Sequence, residues 1–207
     1  ATVIAQYISG FGVAIYTLLL SKESRFSPKH VDKKTIGEVT NFSFLTCLQQ
    51  SVMNLGILMV QTRVNTFGPV VMAAFSTGVK IDAFAYMPLQ DYGNAFSTFT
   101  AQNFGAGKEE RIKRGMKIAF ITSLLFSIMI SLIVFIASPS LMKIFVGDSE
   151  REIIDIGTGY LRIEGAFYAL IGFLFLFYGL FRAIGKPGMS FILTIISLGT
   201  RVLLSYT

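Results

Sequence analysis

Apolar residues gather along this chain in six long runs, at 1–20, 36–64, 70–103, 116–137, 153–181 and 189–207, parted by short polar or charged stretches. Each run is long enough to cross about 30 Å of hydrocarbon as a helix, the longer ones with tilt. A segment in lipid must satisfy its own backbone donors and acceptors, which a helix does and an open strand does not. The pattern predicts an all-α membrane protein, a polytopic transmembrane helix bundle. Pro28, Pro69, Pro139 and Pro187 fall between runs, where a missing amide donor costs least. Pro88 alone lies inside one and predicts a helix break that frees the carbonyl of Phe84.

Composition agrees: 53% of residues are hydrophobic, 14% are charged and the mean hydropathy is +0.63, whereas about a quarter of residues in soluble domains carry charge. The net charge of +6 suits either nucleic acid or membrane topology, and its distribution decides. With alternating spans, one side collects Lys22, Arg25, Lys29, Lys33 and Lys34, then Lys108, Arg111, Lys113, Arg114 and Lys117, then Arg182 and Lys186. The other holds Arg63, Lys143 and Arg151 beside Asp148, Glu150, Glu152 and Asp155. The positive-inside rule puts the first set in the cytoplasm, giving a multi-pass plasma-membrane protein with cytoplasmic basic loops. Basic residues divided among three loops make a poor nucleic-acid surface. Cys47 is the single cysteine and His30 the single histidine, so neither a disulfide framework nor a metal cluster is expected. Run 1–20 is no signal peptide, since its basic cluster follows the apolar stretch. The chain starts without methionine in one apolar run and stops in another, and is read as a fragment.

The stretch AQNFGAGKEERIKRG, at 101–115, invites comparison with a phosphate-binding loop. That pattern requires glycine where Gln102 stands and Ser or Thr after Lys108, where Glu109 stands. A tight turn in which Gly105 and Gly107 allow positive φ, leading into a basic helix start, is the expected structure. Glu109 and Glu110 are spaced to pair with Lys113 and Arg114.

GVKIDAFAYMPLQDYGNAFSTFTAQNFGAGKEERIKRGMK, at 78–117, closely resembles the eighth helix and following loop of the multidrug and toxic compound extrusion (MATE) family of cation-coupled transporters. LQQSVMNLGILMVQTRVNTFG from Leu48 resembles the seventh helix, YLRIEGAFY from Tyr160 the start of the tenth, and LFRAIGKPGM from Leu180 the tenth-to-eleventh loop. The resemblance implies one lobe of a twelve-helix, pseudo-symmetric fold. Residues 1–35 would hold the end of the sixth helix and a basic cytoplasmic loop, and residues 36–207 the carboxy-terminal lobe, helices seven to eleven with the last truncated. It also implies a glutamate in the seventh helix of members with a carboxylate cation site, where this chain has Met53. In one branch the coupling aspartate lies in the first helix, outside this chain.

Ionisable groups at the bilayer centre cost roughly 2.5–3.5 kcal/mol on insertion scales, so each asks for a partner or a wet cavity. Gln50 and Asn54, with Gln49 nearby, read either as a hydrogen-bonding cavity wall or as interhelical glue. Asp82 and Tyr86 sit one turn apart before Pro88, so Asp82 is expected to face a cavity beside a tyrosine hydroxyl, poised for proton exchange; the competing reading is an ion pair with another helix. Lys80 points elsewhere, and Asp91 reads as structural. Glu164 shares a face with Tyr168 and is a second candidate carboxylate, while Arg162 snorkels outward. Arg201 is either the partner of Glu164 or a cavity-lining charge. The 20 Phe and 8 Tyr suit a pocket for flat lipophilic cations, or simply face lipid.

The leading expectation is a secondary efflux transporter that exports amphipathic or cationic compounds in exchange for H+ or Na+ by alternating access. It would need no cofactor beyond the coupling ion. Its partners would be the lipid bilayer, small amphipathic organic substrates and the missing amino-terminal lobe. The alternative is a flippase of lipid-linked precursors from the same superfamily, for which Lys80, Arg162 and Arg201 are few. An enzyme has little to stand on, with no His or Cys cluster and no Ser-His arrangement.

Overall fold

The computed structural model describes residues 2–20 and 32–206. Pro28, Lys22, Arg25, Lys29 and His30 lie outside the described residues. Among the described residues seven helices follow one another: α1 (Thr2–Leu20), α2 (Lys33–Asn65), α3 (Pro69–Gly105), α4 (Glu109–Val146), α5 (Arg151–Ala166), α6 (Tyr168–Ala183) and α7 (Pro187–Tyr206). The chain divides into two compact units, Ala1–Asn41 and Phe42–Thr207. In the first, the Tyr7 ring stacks along α1 on Phe11, centroids 6.3 Å apart.

Four helices, α2, α3, α4 and α7, are long and apolar enough to cross a membrane, and α5 with α6 forms a fifth such span bent by 52°. The described apolar part of α1, Val3–Thr17, is shorter than a full span. Large apolar residues remain exposed around the bundle, such as Ile118, Leu125 and Ile136 on α4, as lipid-facing surfaces require. The protein is an all-α, multi-pass membrane protein.

The second unit is built on α3, which packs against α4, α5 and α6. Ile81, Ala85 and Leu89 of α3 meet Val134 and Met142 of α4, Leu161 of α5, and Tyr168 and Phe175 of α6 in the main buried cluster. Small residues set the spacing, as lipid-embedded helices associate by close backbone approach. A Cβ placed on Gly93 of α3 would lie 2.8 Å from the Phe175 carbonyl oxygen. Gly179 of α6 closes the same crossing against Gly93.

Proline placement departs from expectation twice. Pro139 lies within α4 instead of between spans, and α3 runs unbroken through Pro88. Around Pro88, the buried Ala85, Leu89 and Gly93 anchor both halves of α3 to the bundle while the proline itself is exposed, so packing keeps the helix continuous despite the lost hydrogen bond. The break falls instead at Phe167, which joins α5 to α6.

The α3–α4 and α6–α7 turns share one device. Lys108 N–H donates to Asn103 O at 2.9 Å and Gly107 N–H to Phe104 O at 3.0 Å; Lys186 N–H and Gly185 N–H repeat this onto Phe181 O and Arg182 O. This double closure needs a left-handed residue after the helix, supplied by Gly107 (φ 66°) and Gly185 (φ 73°). Gly105, expected to share that role, is the last helical residue of α3 without positive φ. Glu110 accepts from Lys113 Nζ at 3.0 Å in the first turns of α4, and holds that ammonium above the usual lysine range.

Candidate functional site

Asp82 lies on the packed face of α3 and is only 6% exposed. Its partner comes from α6: the Tyr168 hydroxyl donates to Asp82 Oδ1 at 2.6 Å, with Tyr168 fully buried. Asp82 makes no ion pair among the described residues. A buried carboxylate whose single hydrogen bond comes from a neutral hydroxyl keeps lone pairs available for a proton or cation.

The bend brings Tyr168 to this position. Helix geometry lapses at Phe167, and serines of α4 hold both sides of the bend: Ser131 Oγ donates to Gly165 O in the last turn of α5, and Ser127 Oγ to Tyr168 O at the start of α6 at 3.4 Å. Serines are suited to this, since side-chain hydroxyls help to satisfy the backbone where a helix is interrupted at membrane depth. The bend also separates Glu164, on α5, from Tyr168, on α6, so the two do not occupy one continuous helical face.

Glu164 is half-buried, and its charge and that of Arg201 on α7 both act on Asp82. Tyr160, one turn before Glu164, lies beside that carboxylate and within reach of Asp82 and Arg201. It approaches α3 over Gly78, where an added Cβ would sit 2.6 Å from Tyr160 Cδ1. Its ring meets Phe75 edge-on at 5.3 Å. The constellation is therefore the buried Asp82 with the Tyr168 hydroxyl, the half-buried Glu164 with Tyr160 beside it, and the exposed Arg201, which acts on them through its charge alone. With both carboxylates ionised it carries one net negative charge, which one proton or one monovalent cation would neutralise. Among the described residues, no three His, Cys, Asp or Glu side chains converge on a metal site.

The other expected site residues lie apart. Tyr86 stacks on Phe175 of α6, centroids 6.5 Å apart, so its ring is occupied there and the hydroxyl on Asp82 is that of Tyr168. Gln50 and Asn54 are exposed on α2, and Lys80 is exposed on α3. Their neighbour Gln49 is the buried polar residue of α2, donating through Nε2 to Thr194 Oγ1 at 3.1 Å and tying α2 to α7. Met53 packs at the edge of the core. Arg162 lies over the Phe135 ring at 5.0 Å and donates to Phe135 O.

Sequence reasoning missed Tyr160, Ser127 and Ser131. For Tyr160 a signal existed: Tyr160, Glu164 and Tyr168 recur at a spacing of four. For the serines there was none, because their role follows from a bend that no proline marks.

Known proteins share this architecture. Residues 43–207 match the MatE family model. The chain is 25% identical over 205 residues to the probable multidrug resistance protein NorM of Thermotoga maritima, covering 97% of this chain and 43% of that protein. It is 22% identical over 187 residues to the multidrug export protein MepA of Staphylococcus haemolyticus, covering 89% and 41%. The chain thus spans less than half the length of these relatives. Among solved structures, an outward-facing multidrug resistance MATE family transporter of the MOP superfamily superposes with a TM-score of 0.82 at 17% identity, over 94% of this chain and 44% of that one. A MOP superfamily transporter from Pyrococcus furiosus superposes at 0.75 with 20% identity, over 81% and 37%. The helix order is that of one lobe of this fold, and the chain belongs to the MatE family.

Proposed function

We propose that this chain forms one lobe of a secondary transporter that exports amphipathic, cationic organic compounds in exchange for H+ or Na+. The observation that carries the reading is Asp82: a carboxylate buried in a membrane lobe, held by one neutral hydroxyl, with Glu164 and Arg201 in electrostatic reach. Such a group is expensive at membrane depth, and its cost is met when it loads and unloads a cation. A bound ion removes the net negative charge and with it the attraction for an organic cation. Ion and substrate then favour opposite-facing states, as alternating access requires. The names of the relatives, multidrug resistance and multidrug export proteins, agree with export of foreign compounds. In this reading the second lobe is contributed by the rest of the protein, and the membrane is the plasma membrane. The end bearing Lys108, Arg111, Lys113 and Lys186 faces the cytoplasm.

The test is ethidium efflux from vesicles carrying the full-length protein under an imposed proton or sodium gradient. Asp82→Asn and Glu164→Gln should each lose gradient-driven efflux while still binding ethidium. Normal gradient-dependent efflux in both variants would remove this lobe's carboxylates from coupling and overturn the reading.

A further inference from the structure

At the end of the lobe where α3 and α6 both terminate, a notch of about 440 Å³ lies between α2, α3 and α6. Arg182, in the last turn of α6, lines it. Two of its five N–H groups are committed: Nε donates to Tyr178 O at 3.2 Å and Nη2 to Asn94 Oδ1 at 2.9 Å. Those bonds fix the guanidinium plane against α3 and leave three donors for another group. Arg182 is half-buried, and no carboxylate pairs with it among the described residues. The ion pairs among the described residues are Lys113 with Glu110 and Lys143 with Asp148. A fixed, partly desolvated cation without a counter-charge is an unusual investment unless an anion completes it.

The surroundings fit an oxyanion. Ser97, Thr98 and Gln102 bring hydroxyl and amide groups to the notch from successive turns of α3, and Phe42 of α2 supplies an apolar wall. The depth fits as well. With 37 residues, α3 is about 55 Å long against a hydrocarbon core of about 30 Å. Centred on that core, α3 extends about 12 Å, some eight residues, beyond it at each end, so Thr98, Ala101 and Gln102 lie at the interface and Asn94 and Ser97 just inside it, close in sequence to Lys108 in the following turn and Arg111 in the first turn of α4. Lys186 follows Arg182 by four residues. This is the level at which lipid phosphates lie.

We propose that this notch binds a single phosphate group, gripped by the free edge of the Arg182 guanidinium and by the donors of Ser97 and Gln102. Planar guanidinium groups match phosphate oxygens in pairs, and basic pockets between transmembrane helices accept acidic headgroups. The volume exceeds that of a bare phosphate and accommodates the glycerol of a phospholipid, with Phe42 against its first acyl carbons. None of these residues belongs to the Asp82 constellation, so the site stands or falls separately from ion-coupled export.

Native mass spectrometry of the full-length protein in detergent, titrated with dioleoylphosphatidylglycerol or dioleoylphosphatidylcholine, tests this. A parallel thermal-shift series uses inorganic phosphate against chloride at matched ionic strength. The wild type should retain one phosphatidylglycerol at least tenfold more tightly than phosphatidylcholine. Arg182→Gln should abolish that preference. So should Ala101→Phe, which fills the notch while leaving Arg182 and its two hydrogen bonds in place; it decides alone if Arg182→Gln does not fold. Stabilisation by inorganic phosphate without lipid preference, lost in Ala101→Phe, would support the same site with a soluble ligand. A wild type that prefers neither ligand, or a preference that survives in Ala101→Phe, overturns the proposal.

Discussion

Replacing Gly93 with alanine forces the α3–α6 crossing apart. The added Cβ would sit 2.8 Å from the Phe175 carbonyl oxygen, 3.0 Å from its carbon and 3.1 Å from Phe175 Cβ. Ordinary carbon–oxygen contacts lie near about 3.3–3.6 Å, so α6 must retreat by about 0.5–0.8 Å. The atoms in the way belong to backbone or to a Cβ, and none can swing aside as a side-chain tip would. Leu89, Phe175 and Tyr178 pack around the same crossing and are at most 9% exposed, so the displacement spreads into the core. Overpacking of this kind costs about 1–3 kcal/mol. Gly159→Ala is the control: this glycine lies within α5 with nothing within 4 Å of the added Cβ, and the change should gain up to about 1 kcal/mol of helix propensity. Both variants would be heated as fluorescently tagged full-length protein in detergent, following the temperature at which the monodisperse chromatographic peak halves. Gly93→Ala should melt below wild type and Gly159→Ala at or above it. Equal midpoints for the two would refute close backbone contact at Gly93, and with it the spacing that sets Tyr168 against Asp82.

Tyr168→Phe should destabilise the protein at neutral pH by about 1.5–3 kcal/mol, the worth of a hydrogen bond to a charged group. In a double-mutant cycle with Asp82→Leu, most of that loss should vanish; strict additivity would mean that the two side chains do not interact. Ser127→Ala with Ser131→Ala removes both side-chain partners of the carbonyls at the bend and should cost about 1–2 kcal/mol in melting experiments, each bond being worth on the order of 0.6 kcal/mol in lipid. Single-cysteine variants at Lys108 and Lys143, made in a Cys47→Ser background, should react with an impermeant maleimide from opposite faces of the membrane, and labelling of both from one face would contradict the alternation of spans.

The helices were legible where chemistry is one-dimensional. Apolar runs parted by polar and charged stretches located α2, α3 and α7 closely, because lipid leaves a continuous apolar segment no choice but a helix. Proline was a poorer guide. Pro88 and Pro139 lie inside continuous helices, and the bend at Phe167 carries no proline at all. Proline weakens a helix locally, but packing on Ala85, Leu89 and Gly93, which are remote in sequence from the helices they touch, decides whether it breaks. The site followed the same division. Asp82 and Glu164 stood out as ionisable groups in apolar runs. The hydroxyl on Asp82 arrives from 86 positions away across a bend, a pairing that spacing within one helix cannot express. Tyr86, one turn along α3, was the local guess, and Phe175 occupies its ring instead.

The most direct test of the account is cation release when an organic cation binds. Full-length protein in weakly buffered detergent solution would be mixed with ethidium, and released protons followed with a pH indicator, or sodium with a sodium-selective electrode. The Asp82, Glu164 and Arg201 constellation predicts that the wild type releases one more monovalent cation per molecule than Asp82→Asn. Equal release from both proteins, with ethidium bound equally, would contradict it.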